Sequence, residues 1–137
     1  MQLNLANVNW LGILACVVAS QLTLTVWFVA LFGKPWAEEY GAADAKQHAK
    51  EIPGYTYAIG AACVFLLSVG LALLQDALKV QSVGEALALG FFVAVHLSIA
   101  TALPGYAFLR RYKAFLLAIG SQTVVILLQS AILVAWH

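Results

Sequence analysis

Charged side chains are missing from four long stretches of the sequence. Asp, Glu, Lys and Arg are absent from residues 1–33, 52–75, 86–109 and 114–137. All thirteen charged residues of the chain therefore lie in the three segments between these stretches. Each stretch reaches the ~20 residues that a helix needs to cross ~30 Å of hydrocarbon, and only a helix or a closed barrel satisfies its own backbone there. The sequence therefore predicts an all-α polytopic membrane protein. We expect a single domain over 1–137, with helices at about 10–32, 55–74, 86–103 and 114–136.

The same absence excludes several classes of function. No span contains a carboxylate, Lys or Arg, so an intramembrane acid/base pair is missing, as is the embedded acid of the small four-helix multidrug exporters. We therefore expect no enzymatic activity and no catalytic residue. A net charge of +1 gives no basic surface for nucleic acid. The two cysteines, Cys16 and Cys63, should differ in depth by roughly 10 Å, too far for a disulfide.

The basic residues predict an orientation in the membrane. The first and third loops contain six of the seven Lys and Arg residues, and only Lys79 lies on the other side of the membrane. The six are Lys34, Lys46, Lys50, Arg110, Arg111 and Lys113. By the positive-inside rule, these loops are cytoplasmic and both termini lie outside a bacterial inner membrane. Trp10 and Trp136 are expected as anchors at the outer interface and Trp36 at the inner one.

The first loop is the one sizeable polar segment, and its composition predicts a short interfacial helix with Trp36 and Tyr40 facing the membrane. Its acidic residues Glu38 and Glu39 are expected to fold over Arg110 and Arg111. An alternative role for Arg110, Arg111 and Lys113 is contact with anionic lipid headgroups.

The third span has a ridge of small residues at intervals of four: Ala86, Gly90, Ala94, Ser98 and Ala102. Helices in a bilayer associate by close backbone approach along such ridges. The ridge therefore predicts tight helix packing, against another helix of this chain or against a neighbouring subunit.

Polar side chains also occur near the predicted middle of the membrane: Gln21, Ser68, His96, Gln122 and Gln129. Such groups are expensive in hydrocarbon unless they find partners. Gln122 and Gln129 are seven residues apart and share a helix face. Three interpretations remain open. The first is hydrogen bonding between helices, from His96 to a glutamine or to a backbone carbonyl. The others are a solute or lipid-headgroup site lined by amides, and axial ligation by His96 of a haem or chlorin pigment shared with another subunit. Because this histidine has no second ligand, we predict no metal site.

Three segments resemble a known family. Residues 9–14 (NWLGIL), 27–36 (WFVALFGKPW) and 131–136 (AILVAW), with Gly120 in the fourth helix, are similar to small bacterial membrane proteins called domain of unknown function seventeen-sixty-one. The resemblance implies four helices in one compact unit, and it implies no activity.

These observations favour a structural or accessory subunit of a larger membrane complex, or a homo-oligomer, that acts through helix packing. The first alternative is a small transporter or binder of a neutral or amphiphilic molecule, and the second is a pigment-contacting or haem-contacting subunit. The expected partners are other membrane subunits or further copies of the chain, together with bound lipid. We predict no other cofactor and no nucleic acid.

Overall fold

The computed structural model describes residues 2–136, and it is built from helices. Four of the helices in this range are long and apolar enough to cross a membrane. They are α1 (Trp10–Leu31), α4 (Gly54–Ala77), α5 (Val83–Phe108) and α6 (Tyr112–Ala135). Two short helices, α2 (Gly33–Glu39) and α3 (Ala45–Glu51), lie in the first loop, and a 3₁₀ turn at Leu5–Asn7 precedes α1. The predicted fold class is confirmed.

Local side chains define where the helices begin. The Asn9 side chain accepts hydrogen bonds from the backbone N–H groups of Leu11 and Gly12 at the start of α1. Ser82 and Glu85 form a reciprocal capping box at the start of α5, which satisfies N–H groups that have no partner within the helix. The sequence left open whether the third helix ends near residue 103 or continues past Pro104 to Phe108, and α5 continues to Phe108.

The last long helix lies at the centre of the bundle. α6 packs against α1, α4 and α5, whereas α5 packs mainly on α6. The most apolar part of α6 is 44% buried, against 17% for each of the other three long helices. α6 therefore provides the surface on which the other three meet.

The small-residue ridge of α5 lies against this central helix. Ala86, Gly90 and Ala94 are buried, while Ser98 and Ala102 are half-buried. A Cβ atom added to Gly90 would lie 2.6 Å from Ser130 Oγ of α6. The first part of the ridge, from Ala86 to Ala94, therefore packs against another helix of this chain.

A π-helical segment at Val93–Ile99 lies in the middle of α5. An α-helix turns about 100° per residue, so a repeat of four residues drifts by about 40° at each step. From Ala86 to Ala102 this drift would amount to about 160°, enough to turn Ala102 away from α6. A π segment adds about one residue to its turn and removes about 100° of the drift. The ridge consequently stays on one side of α5.

α1 also ends in a π segment, Val26–Leu31, which contains Trp27. The Trp27 indole N–H donates a hydrogen bond to the Leu117 carbonyl of α6 at 3.1 Å. At the other end of the bundle, the Asn9 amide donates to the Trp136 carbonyl at 2.6 Å. α1 and α6 are therefore joined by hydrogen bonds at both ends, and Trp10 and Trp136 lie at the same end.

Candidate functional site

Gln129 is the centre of the buried polar contacts. Its side chain is fully buried, and its amide nitrogen donates to Ser20 Oγ of α1 at 2.8 Å and to the Val64 carbonyl of α4 at 3.1 Å. Its Oε1 atom has no hydrogen-bond partner among the described residues. Gln129 thus joins three helices through Ser20, which was not predicted, and through the Val64 carbonyl. The interhelical interpretation expected such a bond from His96, which instead contacts a carbonyl of its own helix.

The other predicted polar residues are not assembled around Gln129. Ser68 is buried, but its hydroxyl donates to Phe65 of its own helix at 2.8 Å. Gln21 is half-buried, and Gln122 and His96 are exposed. The structure therefore does not form one cluster from these five residues.

The exposure of Gln122 marks the half of the bundle in which α6 is less covered by its neighbours. It lies two turns from Gln129 on the same face of α6, yet Gln129 is fully buried and Gln122 is exposed. In α4, Tyr57 lies two turns from Val64 on one face, and Tyr57 is 51% exposed whereas Val64 is 4% exposed. The sides of α4 and α6 that face each other are thus buried in the half of the bundle that contains Val64 and Gln129. They are exposed in the half that contains Tyr57 and Gln122.

His96 lies on the outer surface of α5. Its ring stacks on Phe92 with the centroids 4.5 Å apart, and Nδ1 lies 3.2 Å from the Phe92 carbonyl oxygen. A carbonyl oxygen can only accept, so this contact is a hydrogen bond in the tautomer that has its proton on Nδ1. In the neutral ring, Nε2 is then the free acceptor. This nitrogen is the atom that a partner or a pigment would contact.

A cavity of about 590 Å³ lies at the uncovered end of the bundle. We call it the inner cavity. All four long helices reach its wall, with Phe28 of α1, Thr56 of α4, Tyr106 of α5 and Ala118 of α6. The short helices α2 and α3 complete the wall with Trp36, Tyr40 and His48. Because aromatic and other apolar side chains form most of its wall, with few polar groups among them, we take it as the candidate binding site.

Aromatic rings form much of this wall. The Tyr40 and His48 rings are stacked with centroids 4.4 Å apart, and Trp36 meets His48 edge-on at 4.6 Å. Phe28 packs on Trp36 at 5.5 Å. α2 and α3 pack together and bring Trp36 and Tyr40 to the wall of the cavity, while Tyr40 is still 65% exposed. That both rings face the membrane stays a prediction. The spacing of Trp36 and Tyr40 was visible in the sequence, but their contact with His48 depends on the turn between the two short helices.

Two ion pairs hold the first loop to the start of α6. Arg111 Nη2 lies 2.6 Å from Glu39 Oε2, and Lys113 Nζ lies 2.7 Å from Glu38 Oε2. The expected contact of the acidic pair with the third loop is therefore present, but Lys113 takes the place expected for Arg110. Arg110 adopts a left-handed conformation, with φ +54°, at the turn before α6. Among residues 2–136 it forms no ion pair.

The two pairs differ in their position relative to the cavity, since only Arg111 and Glu39 line it. The hydrogen bond from Lys113, reinforced by the charge of that side chain, lowers the pKa of Glu38. Arg111 and Glu39 both line the cavity and neutralise each other. With neutral charge and aromatic walls, the inner cavity suits an uncharged or amphiphilic molecule.

Metal-ligating residues are not gathered at this site. In the part of the chain that the structure describes, no group of three or more His, Cys, Asp or Glu side chains is close enough to hold a metal ion. Cys16 is buried, Cys63 is exposed, and both are free.

The chain matches a known protein family. The family described as Protein of unknown function (DUF1761) matches residues 11–134. No curated protein and no solved structure matches the chain. The match covers all four long helices almost completely.

Proposed function

Because the chain belongs to the DUF1761 family, whose function is unknown, we propose a function from its own cavity. The protein binds a neutral or amphiphilic small molecule in the inner cavity and does so without enzymatic chemistry. The observation that carries this proposal is the cavity of about 590 Å³ between the ends of all four long helices. Ligand pockets are typically of this size and mostly apolar, with few polar groups.

The uncovered faces of α4 and α6 support an amphiphile as the ligand. Ala118 lines the cavity, and Gln122 lies one turn deeper on nearly the same face of α6 and is exposed. The apolar part of a ligand can therefore lie along α6 toward the membrane interior. Its polar part would stay near Arg111, whose guanidinium has five N–H donors and keeps some free beside Glu39.

The proposal includes an orientation. We place the inner cavity on the cytoplasmic side of a bacterial inner membrane and both termini outside. The support is the concentration of six of the seven basic residues in the two loops at this end, since basic loops are retained in the cytoplasm. A ligand would then enter from the cytoplasmic leaflet or from the cytoplasm.

Native mass spectrometry after gentle detergent extraction tests the proposal. We expect the protein to carry a bound small molecule that Ala118→Trp removes, because the indole ring fills the cavity. Ala88→Trp is the matched control, since Ala88 is exposed on α5 and does not line the cavity. An empty wild-type protein, or an Ala118→Trp variant that keeps the bound mass, would contradict the proposal.

A second candidate is the accessory subunit of a larger membrane complex. The observation that favours it is the outer side of α5, which presents His96 with a free ring nitrogen beside Phe92. A polar group inside a membrane is costly unless it finds a partner, and a second subunit on this side of α5 would supply one. The same spectra distinguish the two functions, because a stable heteromer would favour this candidate. A visible absorption band that His96→Ala abolishes would assign the partner as a haem or chlorin pigment.

A further inference from the structure

A second pocket lies at the opposite end of the bundle from the inner cavity. We call it the outer pocket. Its volume is about 230 Å³, and it is formed by the segment before α1, the end of α4 and the turn that follows α4. Six of the residues that line it are polar or charged: Asn7, Asn9, Gln75, Asp76, Lys79 and Gln81. It shares no residue with the inner cavity.

One polar residue in the lining of the outer pocket, Gln75, is buried. Gln75 is 6% exposed, and its amide nitrogen donates to the Ser130 carbonyl of α6 at 2.9 Å. No side chain or backbone group among the described residues donates to its amide oxygen. This contact fixes the amide and leaves the oxygen as an acceptor for a molecule in the pocket.

Asp76 is also held in position. Asn7 Nδ2 donates to Asp76 Oδ2 at 3.1 Å, which orients the carboxylate and leaves Oδ1 without a donor among residues 2–136. Burying even part of a carboxylate is costly unless it is paired. A cationic group in the pocket would supply that partner.

Lys79 brings the opposite charge to the same pocket. It follows α4 in a left-handed conformation, with φ +54°, which non-glycine residues adopt infrequently. The turn is closed by hydrogen bonds from Val80 N to the Gln75 carbonyl at 2.9 Å and from Lys79 N to the Asp76 carbonyl at 3.1 Å. In the described chain, Lys79 and Asp76 form no ion pair with each other.

We propose that the outer pocket binds a small zwitterion of the α-amino-acid type. The ligand ammonium pairs with Asp76, the ligand carboxylate pairs with Lys79, and the Gln75 amide oxygen accepts a further hydrogen bond from the ammonium. The volume of about 230 Å³ equals roughly seven or eight waters at about 30 Å³ each. It lies below the range of about 300–1,000 Å³ that is typical for drug-sized ligands, so the pocket suits a small solute.

Thermal unfolding of the purified protein with L-alanine as the probe tests this inference. We expect the Tm to rise to a plateau with increasing L-alanine, because a ligand that binds only the folded state stabilises it. Acetate and ethylammonium, which each carry one of the two charges, should have little effect at the same concentration. No rise with L-alanine, or an equal rise with either single ion, would overturn the inference.

Variants of Asp76 and Lys79 test whether L-alanine binds in the outer pocket. Lys79→Gln and Asp76→Asn should each raise the apparent Kd for L-alanine at least tenfold. Lys79 is exposed, so its variant folds normally even if loss of the Asn7 contact disturbs Asp76→Asn. Lys50→Gln is the matched control, because Lys50 is an exposed cation in α3 and should leave the Kd unchanged. An unchanged Kd in Lys79→Gln would overturn the proposal without affecting the function assigned to the inner cavity.

Discussion

Gly120 leaves room on α6 for the indole ring of Trp27. A Cβ atom at this position would lie 2.6 Å from Trp27 Cζ2 and 3.0 Å from Cη2. The indole cannot withdraw easily, because its N–H is hydrogen-bonded to Leu117. Gly120→Ala should therefore lower the free energy of unfolding by about 1–3 kcal/mol, as overpacking of a core does.

Gly70→Ala provides the comparison for that substitution. Gly70 lies inside α4 with no atom within 4 Å of the position of an added Cβ, so alanine should be neutral or should stabilise by up to ~1 kcal/mol. Denaturant unfolding of both variants in the same detergent measures the difference. Equal stability of the two variants would show that Trp27 does not press on Gly120.

Residue type and spacing predicted only part of the polar chemistry. Gln122 and Gln129 are the same amino acid on the same face of one helix, and the sequence could not tell which would be buried. The difference arises because the sides of α4 and α6 that face each other are buried in one half of the bundle and exposed in the other. The aromatic wall at Trp36, Tyr40 and His48 was hidden for a similar reason, since it forms only when α2 and α3 pack together.

At the scale of elements, the pair Glu38–Lys113 holds α2 to the start of α6. The folded pKa of Glu38 lies below the ordinary value of 4.5, so the folded state favours the ionised carboxylate. The stabilisation from this group is therefore complete above about pH 4.5 and is lost as the pH falls through the lower, folded pKa. An unfolding series from pH 6 to pH 3 should show a smaller acid loss for Glu38→Gln than for the wild type.

Glu51→Gln serves as the control in that series. Glu51 accepts a hydrogen bond from Gln47 at 3.1 Å and takes part in neither ion pair. Its variant should keep more of the wild-type acid dependence than Glu38→Gln. If both variants lose stability with acid as the wild type does, the Glu38–Lys113 pair contributes nothing to holding α2.

The small-residue ridge could be predicted from the sequence, but its partner could not. Spacing identifies a surface for close approach, and it does not say which helix approaches. The repeat of four residues in this ridge also indicates the π segment of α5. A strict repeat of four does not match a helix of 3.6 residues per turn, so a ridge over sixteen residues itself indicates a wider turn near its middle.

The proposed orientation of the whole molecule can be tested with single cysteines. With Cys63 replaced by Ala, Lys46→Cys reports on α3 and Gln81→Cys on the segment between α4 and α5, since both positions are exposed. A membrane-impermeant maleimide should label Gln81→Cys in intact spheroplasts and Lys46→Cys only after lysis. The reverse pattern would place the inner cavity outside the cytoplasm.

At this scale the sequence predicted the four spans because hydrocarbon imposes one simple requirement on every segment that crosses it. The arrangement of the spans was not predictable in the same way. All four are strongly apolar, and they differ in burial, with α6 well above the others. How much of each helix is buried depends on which helix surfaces are complementary in shape and hydrogen bonding. That complementarity is distributed over single residues such as Gly90, Gly120 and Gln129.

The central position of α6 also has a consequence for biogenesis. α6 follows α1, α4 and α5 in chain order, so the ribosome delivers three membrane segments before their common partner exists. Until α6 inserts, the ridge of α5 faces lipid or other polypeptides, and Ser20 has no Gln129 to bond. Assembly of the bundle therefore completes only with its last segment, and this interval is when insertion factors or a second nascent copy have access to these surfaces.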